Sequence, residues 1–319
     1  MKKELGIFIL LIVLCAIVAI INPLFLSSTN LQNNARLIGL SGIFSIGLGV
    51  VIITSGIDLS VGSVMALLGV VLSILLVQYH WTAALAVIVV LALTMSLGLL
   101  HGLLVTKVGV QPFIVTLCGL LFYRGMARFI TNDETKGFGN AEGFETLRDL
   151  ANGSLVGIPM PFVLLIVISV VMWVVMHRSV YGRYLFAVGR NEEAARYSGI
   201  NTGRMIISAY VLCGLLTGIA GILYAFYTPS ISPSSHGVSY ELYGIAAAVL
   251  GGCSLRGGEG SIIGILIGTA LLQVLQNLVN LLGIPSSLNP AVMGAVILLG
   301  VIADQVIKQR SARKIGAGV

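Results

Sequence analysis

The sequence predicts an all-α membrane protein, a polytopic bundle of about ten transmembrane helices with both termini in the cytoplasm. Of its 319 residues, 57% are hydrophobic and only 9% are charged, and the mean hydropathy is +1.03. A soluble domain carries about 25% charged residues, so this chain has too little charge to cover a water-exposed surface. Its 39 glycines suit helices that pack closely within a membrane.

The apolar stretches set the expected number of spans, because a membrane helix needs about 20 mostly apolar residues. The eighth and tenth candidates are short, which indicates that they tilt or lean on neighbouring helices. The chain is expected to form one transmembrane domain, 1–319. The candidate spans lie near residues 5–21, 36–54, 60–78, 82–105, 110–131, 160–177, 205–227, 239–252, 261–282 and 290–304.

Charge placement predicts the orientation. If Lys2 and Lys3 lie in the cytoplasm, most of the 18 basic residues also fall in cytoplasmic segments, whereas the loop 132–159 is mainly acidic. Cytoplasmic loops are enriched in Lys and Arg. We therefore expect 132–159 in the periplasm, 178–204 in the cytoplasm, and the protein in a bacterial inner membrane.

Several other classes of function find little support. The net charge of +6 comes from basic residues scattered over short connections, so nucleic acid is not an expected partner. The four cysteines and four histidines have no metal-ligand spacing. No paired carboxylates or nucleophile–base set occurs in a loop, and an enzyme is therefore not expected.

The loop 178–204 contains a predicted short helix. Asn191 can cap its N-terminus, Glu192 and Glu193 lie beside the positive end of its dipole, and Gly199 can end it. Such a helix on the cytoplasmic face could transmit force from a soluble partner. A solvated connector explains the same residues and is, on this loop alone, the simpler interpretation.

Asp58 follows the second apolar stretch, and a carboxylate near a membrane needs water, a partner or donor groups. It is predicted to cap the next helix by accepting the backbone N–H of Ser60 or Val61. The alternative is a gating or ATPase-contact role for Asp58 and Ser60 at the cytoplasmic mouth. A proton relay is not expected from one lone carboxylate.

A polar stripe is predicted along the ninth candidate span, where the spacing of five polar residues puts them on one helix face. They either bond to neighbouring helices or line a watered path. Uncharged amides suit the hydroxyls of a sugar, since they both donate and accept hydrogen bonds. The stripe is the candidate translocation pathway, and it consists of Thr269, Gln273, Gln276, Asn277 and Asn280.

Arg124 lies deep in the fifth candidate span and needs a partner. We predict a buried ion pair with Glu241, at the outer start of the eighth span. The segment 228–237 between the seventh and eighth spans is polar and uncharged, and is predicted to be an outer turn.

Three ordered stretches resemble the permease subunits of ABC importers, in particular the ribose-type branch. Glu193-Ala194-Ala195, followed after three residues by Gly199, is similar to the coupling-helix signature of these permeases. Residues 54–63 and 240–260 resemble the same branch. The resemblance covers nearly the whole chain.

The resemblance implies a permease that carries a small, ribose-like sugar inwards. A second permease subunit, identical or different, and a periplasmic binding protein would complete it. The chain has no Gly-x-x-x-x-Gly-Lys-Ser/Thr loop, so ATP would be bound by a separate ATPase subunit and the chain needs no cofactor of its own. The implied ATPase contacts are Asn191, Glu192, Glu193, Ala194, Ala195 and Gly199.

Two alternatives stay open. An ion-coupled secondary transporter would show charged or unwound elements near the bilayer midplane, and the sequence offers few charges there. A permease for a non-sugar solute, such as a branched-chain amino acid, is the other.

Overall fold

The computed structural model describes residues 2–139, 142–228, 230–288, 290–295 and 298. Its helices are α1 (Lys2–Ile21), α2 (Ser28–Ile53), α3 (Val61–Ser73), α4 (Ala83–Leu103), α5 (Pro112–Thr131), α6 (Glu145–Asn152), α7 (Met160–His177), α8 (Val180–Arg190), α9 (Glu192–Tyr197), α10 (Thr202–Tyr227), α11 (Tyr240–Leu250) and α12 (Ile262–Leu281). Ile74–Gln78 and Leu104–Val108 extend α3 and α4 as π-helical turns, and Pro23–Leu26 and Ser286–Leu288 form 3₁₀ turns. One hairpin pairs β1 (Ser154–Leu155) with β2 (Ile158–Pro159).

The predicted all-α membrane bundle is confirmed. Within the described residues, 8 helices are long and apolar enough to cross a membrane. The span predicted at 239–252 is the 11-residue helix α11, which is too short to cross a bilayer by itself. The span predicted at 290–304 and the C-terminus lie largely outside the described residues.

Helices α2, α3 and α10 form the centre of the bundle. Their most apolar windows are 78%, 72% and 61% buried, whereas the corresponding window of α1 is 6% buried. Helix α10 packs on α2, α3 and α4, α2 also packs on α7, α11 and α12, and α1 lies against α12. The periphery of the bundle is therefore left to lipid.

Glycines allow α4 and α10 to pack backbone against backbone. A Cβ added at Gly98 would overlap the carbonyl oxygen of Tyr210, and a Cβ at Gly214 would overlap that of Thr94. Without a hydrophobic driving force between helices in lipid, such close packing is a main source of helix association. Gly98 and Gly214 therefore permit the close contact at the crossing of α4 and α10.

Adding one methyl group at this crossing is expected to destabilise the protein. In Gly214→Ala the new Cβ meets backbone that cannot rotate away, at a cost of roughly 1–3 kcal/mol. The matched control is Gly125→Ala in α5, where nothing lies within 4 Å of the added Cβ. Thermal unfolding in detergent measures both. An unfolding temperature for Gly214→Ala at or above that of Gly125→Ala would contradict the close packing.

One end of the bundle, which we call the α9 face, gathers α8, α9 and two turns. The hydroxyl of Ser55 donates to the carbonyl oxygen of Gly189 at 3.0 Å and to that of Arg256 at 2.9 Å. These bonds join the turn 54–60 to the end of α8 and to the turn 251–261. Two of the stretches that carry the family resemblance, 54–63 and 240–260, are thus in contact in space, and both lie at the end of the helix that precedes α9.

Residues 132–139 and 142–159 cover the opposite face. The ring of Phe138 stacks on Phe226 at the end of α10, with centroids 4.0 Å apart. Lys136 and Ile231 exchange backbone hydrogen bonds of 3.0 and 2.6 Å. Because α10 begins beside α9 and ends beneath this cover, the segments 132–159 and 178–204 lie at opposite ends of the bundle.

Candidate translocation cavity and coupling surface

A cavity of about 110 Å³ lies between α2, α10, α11 and α12. Thr269, Gln273 and Gln276 of the predicted polar stripe line it, together with Ser41 and Ser45 of α2. Among the described residues of its wall, none is charged. The cavity therefore presents uncharged hydrogen-bonding groups.

The rest of the stripe does not line this cavity. Asn277 exchanges two side-chain hydrogen bonds with Asn30 of α2, at 3.1 and 2.7 Å, and so joins α12 to α2. Asn280 is exposed at the end of α12. The two readings of the stripe thus apply to different residues: Asn277 bonds to a neighbouring helix, whereas three others face the cavity.

Aromatic rings form the other wall of the cavity. Phe44, Tyr224, Tyr240 and Tyr243 line it. The hydroxyls of Tyr240 and Tyr224 are hydrogen-bonded, and their ring centroids lie 5.0 Å apart. Phe44 stacks on Tyr240 at 5.7 Å with an interplanar angle of 19°. Sequence reasoning missed these residues because they come from three helices and form no local pattern.

The direct ion pair predicted between Arg124 and Glu241 is not formed, which corrects that prediction. One Nη of Arg124 donates to the carbonyl oxygens of Pro233 at 3.1 Å and His236 at 2.7 Å. The Glu241 carboxylate instead lies against Gly62 in the first turn of α3. The Arg124 guanidinium group therefore binds backbone carbonyls of the segment before α11 instead of the carboxylate of Glu241.

The segment 230–239 enters the bundle rather than remaining an outer turn. It reaches Arg124, halfway along α5, and Gly237 meets Gly62 backbone to backbone. Gly237 has a φ of +69°, and a Cβ there would lie 2.7 Å from the Gly62 carbonyl oxygen. Only glycine fits both conditions without strain. Helices α3 and α11 therefore both begin inside the bundle.

Asp58 accepts hydrogen bonds from the Ser60 backbone N–H at 2.9 Å and from its hydroxyl at 2.6 Å. The predicted bond to the Ser60 N–H is formed, but Ser60 itself is the N-cap residue of α3 and its side chain makes no capping hydrogen bond, so the predicted capping role of Asp58 is wrong. Asp58 is buried, and it has a neighbour that the sequence did not reveal: Nδ1 of His101 lies 3.9 Å from its second oxygen. Nε2 of His101 is 2.8 Å from the Tyr123 hydroxyl. Neither Asp58 nor Ser60 lines the cavity.

Helix α9 forms as predicted. Asn191 accepts the backbone N–H of Ala194 at 2.9 Å, and Glu192 and Glu193 lie in the first turn. Gly199, with a φ of +84°, follows the last turn. The sequence therefore caps and terminates a helix of only six residues.

The outward side of α9 combines acidic and aromatic groups. Ala195 is buried and holds the helix on the bundle, whereas Glu193 and Ala194 are exposed. Tyr197 is 84% exposed, and the sequence analysis did not single it out. In the turn 251–261, burial raises the pKa of the Cys253 thiol to about 12, so this cysteine is a neutral packing group at neutral pH.

A family model described as "Branched-chain amino acid transport system / permease component" matches residues 30–301. The chain belongs to this family. The permease is 41% identical to the ribose import permease protein RbsC of Escherichia coli over 296 residues, which cover 93% of the permease and 92% of that protein. It is 39% identical to RbsC of Bacillus subtilis over 304 residues, 95% and 93% of the two chains.

A relative with a different named cargo is also similar. The autoinducer 2 import system permease protein LsrD of Salmonella paratyphi A is 32% identical over 309 residues, which cover 96% of the permease and 92% of that protein. No solved structure matches the chain. The family confirms the predicted class: a multi-pass membrane component of a transport system, not an enzyme.

Proposed function

We propose that this permease is the membrane-spanning subunit of a binding-protein-dependent ABC importer that carries a small, ribose-like sugar into the cytoplasm. The observation that carries the proposal is the 41% identity to a ribose import permease along 93% of the chain. The uncharged, partly aromatic cavity supports it, because amides and hydroxyls can exchange hydrogen bonds with sugar hydroxyls in both directions.

The proposal assigns a role to each face. The α9 face lies in the cytoplasm and receives the ATPase subunit, which binds ATP, through Asn191–Gly199. The face covered by 132–159 lies in the periplasm and receives the sugar-binding protein. The subunit works as half of a permease dimer in a bacterial inner membrane. The concentration of Lys and Arg near the α9 face supports this orientation.

Ion-coupled secondary transport is the second candidate, favoured by one feature of the bundle. Helices α3 and α11 begin inside it, with Asp58 and Glu241 buried near these starts. Discontinuous helices with nearby charges often bind coupling ions. Asp58 already accepts two hydrogen bonds from Ser60, which gives its carboxylate a structural role. This weakens the case for ion-coupled transport.

Transport into proteoliposomes separates these functions. We expect the permease, reconstituted with its ATPase and binding protein, to accumulate ribose only with ATP and to be insensitive to a protonophore. Uptake that needs no ATP and collapses with the proton gradient would establish the secondary transporter instead. ATP-driven uptake of leucine but not of ribose would establish an amino-acid permease.

A further inference from the structure

Helix α11 forms one wall of the cavity. Its residues Tyr240, Tyr243 and Ala247 line the cavity, and its 11 residues span only about 16 Å. A full-length span reaches both faces of the membrane, whereas α11 begins inside the bundle. The position of this wall therefore depends strongly on the contacts at the two ends of α11.

The C-terminal end of α11 is tied to the α9 face. In the turn 251–261, which follows α11, the Gly258 N–H donates to the Ile53 carbonyl oxygen at 2.9 Å. The hydroxyl of Ser55 bonds to the Arg256 carbonyl oxygen in the same turn and to a carbonyl oxygen in the last turn of α8. Because α8 leads directly into α9, a displacement of α9 would reach the end of α11 through these hydrogen bonds.

The N-terminal end of α11 is held on α3 by Glu241. Glu241 is only 7% exposed, and its carboxylate interacts with the backbone N–H of Gly62 in the first turn of α3. A Cβ added at Gly62 would lie 2.5 Å from a carboxylate oxygen of Glu241. Glu241 is also in the first turn of α11, so one carboxylate lies beside the positive dipole ends of two helices. The negative charge therefore holds the two helix starts together.

Arg124 of α5 adds to the attraction that keeps Glu241 in place. Its guanidinium attracts the carboxylate without a direct ion pair, while it binds the carbonyl oxygens of Pro233 and His236 just before α11. Asp58 is a second buried carboxylate close enough to repel Glu241. A neutral side chain at position 241 would remove the attraction to Arg124 and to both helix starts.

We propose that Glu241 is a positioning residue for translocation: it fixes the start of α11 on α3, so that movement received at the α9 face tilts α11 and changes the width of the cavity. The inference rests on the proposed function and extends it to the way in which energy reaches the pathway. At about 110 Å³ the cavity is smaller than the roughly 150 Å³ that takes up benzene, so a wall has to move before a sugar can pass. Helices α2, α10 and α12 are long enough to cross the membrane and α11 is not, so α11 is the wall that a small displacement can tilt.

Sugar uptake and ATP hydrolysis, measured together in proteoliposomes with the ATPase and the binding protein, test this role. Glu241→Gln keeps the size of the side chain and removes its charge. We expect it to lower ribose uptake about tenfold or more, while the ATPase still assembles with the permease and hydrolyses ATP. Glu241→Asp keeps the charge and should restore part of the uptake. The matched control is Glu134→Gln, which breaks an exposed pair with Lys136 and should transport like the wild type.

Amide hydrogen exchange in nanodiscs, with the permease alone, tests the contact itself and needs no transport. In Glu241→Gln the first turns of α3 and α11 should exchange about tenfold faster than in the wild type, whereas α2 should be unchanged. Glu134→Gln should match the wild type throughout. Faster exchange confined to these two turns supports the attachment of α11 to α3, and unchanged exchange overturns it.

The transport results separate positioning from mere stability. Full uptake by Glu241→Gln, or an equal loss of uptake and of ATP hydrolysis, overturns the positioning role, since a loss of folded protein lowers both rates together. Uptake by Glu241→Asp as low as that of Glu241→Gln would refute the role of the charge. If the wild-type system takes up no ribose with ATP, the proposed function itself fails, and the exchange experiment still shows whether Glu241 joins the two helices.

Discussion

Replacing Tyr197 by Ala is expected to abolish ATP-driven sugar uptake while leaving the permease inserted and folded. Tyr197 is 84% exposed on α9, where its ring makes little contribution to the fold. Exposed tyrosines of this kind are enriched among interface residues whose truncation costs at least about 2 kcal/mol, roughly a 30-fold loss of affinity. A permease that binds its ATPase this weakly would not recruit the ATPase, or the ATPase would hydrolyse ATP without driving transport.

The matched control is Tyr79→Ala. Tyr79 is 66% exposed in the turn after α3, near the opposite face, and should tolerate the change. Uptake into proteoliposomes and co-purification of the ATPase measure both variants. Full uptake by Tyr197→Ala would remove the coupling role of this residue.

Glu193→Lys and Gly199→Val are expected to impair uptake in the same way, the latter because Val strains a backbone with a φ of +84°.

Replacing Asp58 by Ala is expected to lower the stability of the permease by on the order of 3 kcal/mol. The substitution leaves the buried N–H and hydroxyl of Ser60 without their acceptor, and each buried unsatisfied donor costs about 1–3 kcal/mol. It also removes the charge beside His101. Asp133→Ala, which breaks an exposed pair with Arg128, is the control and should have little effect.

Thermal unfolding in detergent measures this effect, and a double-mutant cycle tests its cause. If Asp58 and His101 act together, the losses from Asp58→Asn and His101→Asn should not add in the double variant. Strict additivity would mean that the 3.9 Å approach carries no coupling. Retained stability in Asp58→Ala would refute the stabilising role of its two hydrogen bonds with Ser60.

Local patterns predicted much of the architecture. Runs of apolar residues located the long helices, and the cap at Asn191 with Gly199 placed α9 to within a residue. These features depend on neighbours in sequence, so the chain itself displays them. The spacing of the polar stripe likewise placed Gln273 and Gln276 on the face of α12 that meets the cavity.

Contacts between distant segments could not be predicted in this way. Arg124 bonds to carbonyls more than 100 positions away, and no sequence pattern distinguishes a carbonyl partner from the carboxylate of Glu241. His101 reaches Asp58 only because α3, α4 and α5 converge. The eighth candidate span was expected to be short, but the sequence did not show that α11 begins inside the bundle, which depends on the contact between Gly237 and Gly62.

Photo-cross-linking from position 197 tests the central claim, that energy reaches the permease through α9 on the cytoplasmic side. A benzophenone amino acid replaces Tyr197 in one variant and Tyr79 in another, within intact cells that produce the whole transporter. We predict that position 197 cross-links to the ATPase subunit and that position 79 does not. Cross-linking of position 197 to the periplasmic binding protein, or its labelling by a reagent that cannot cross the membrane, would contradict the orientation and the coupling role together.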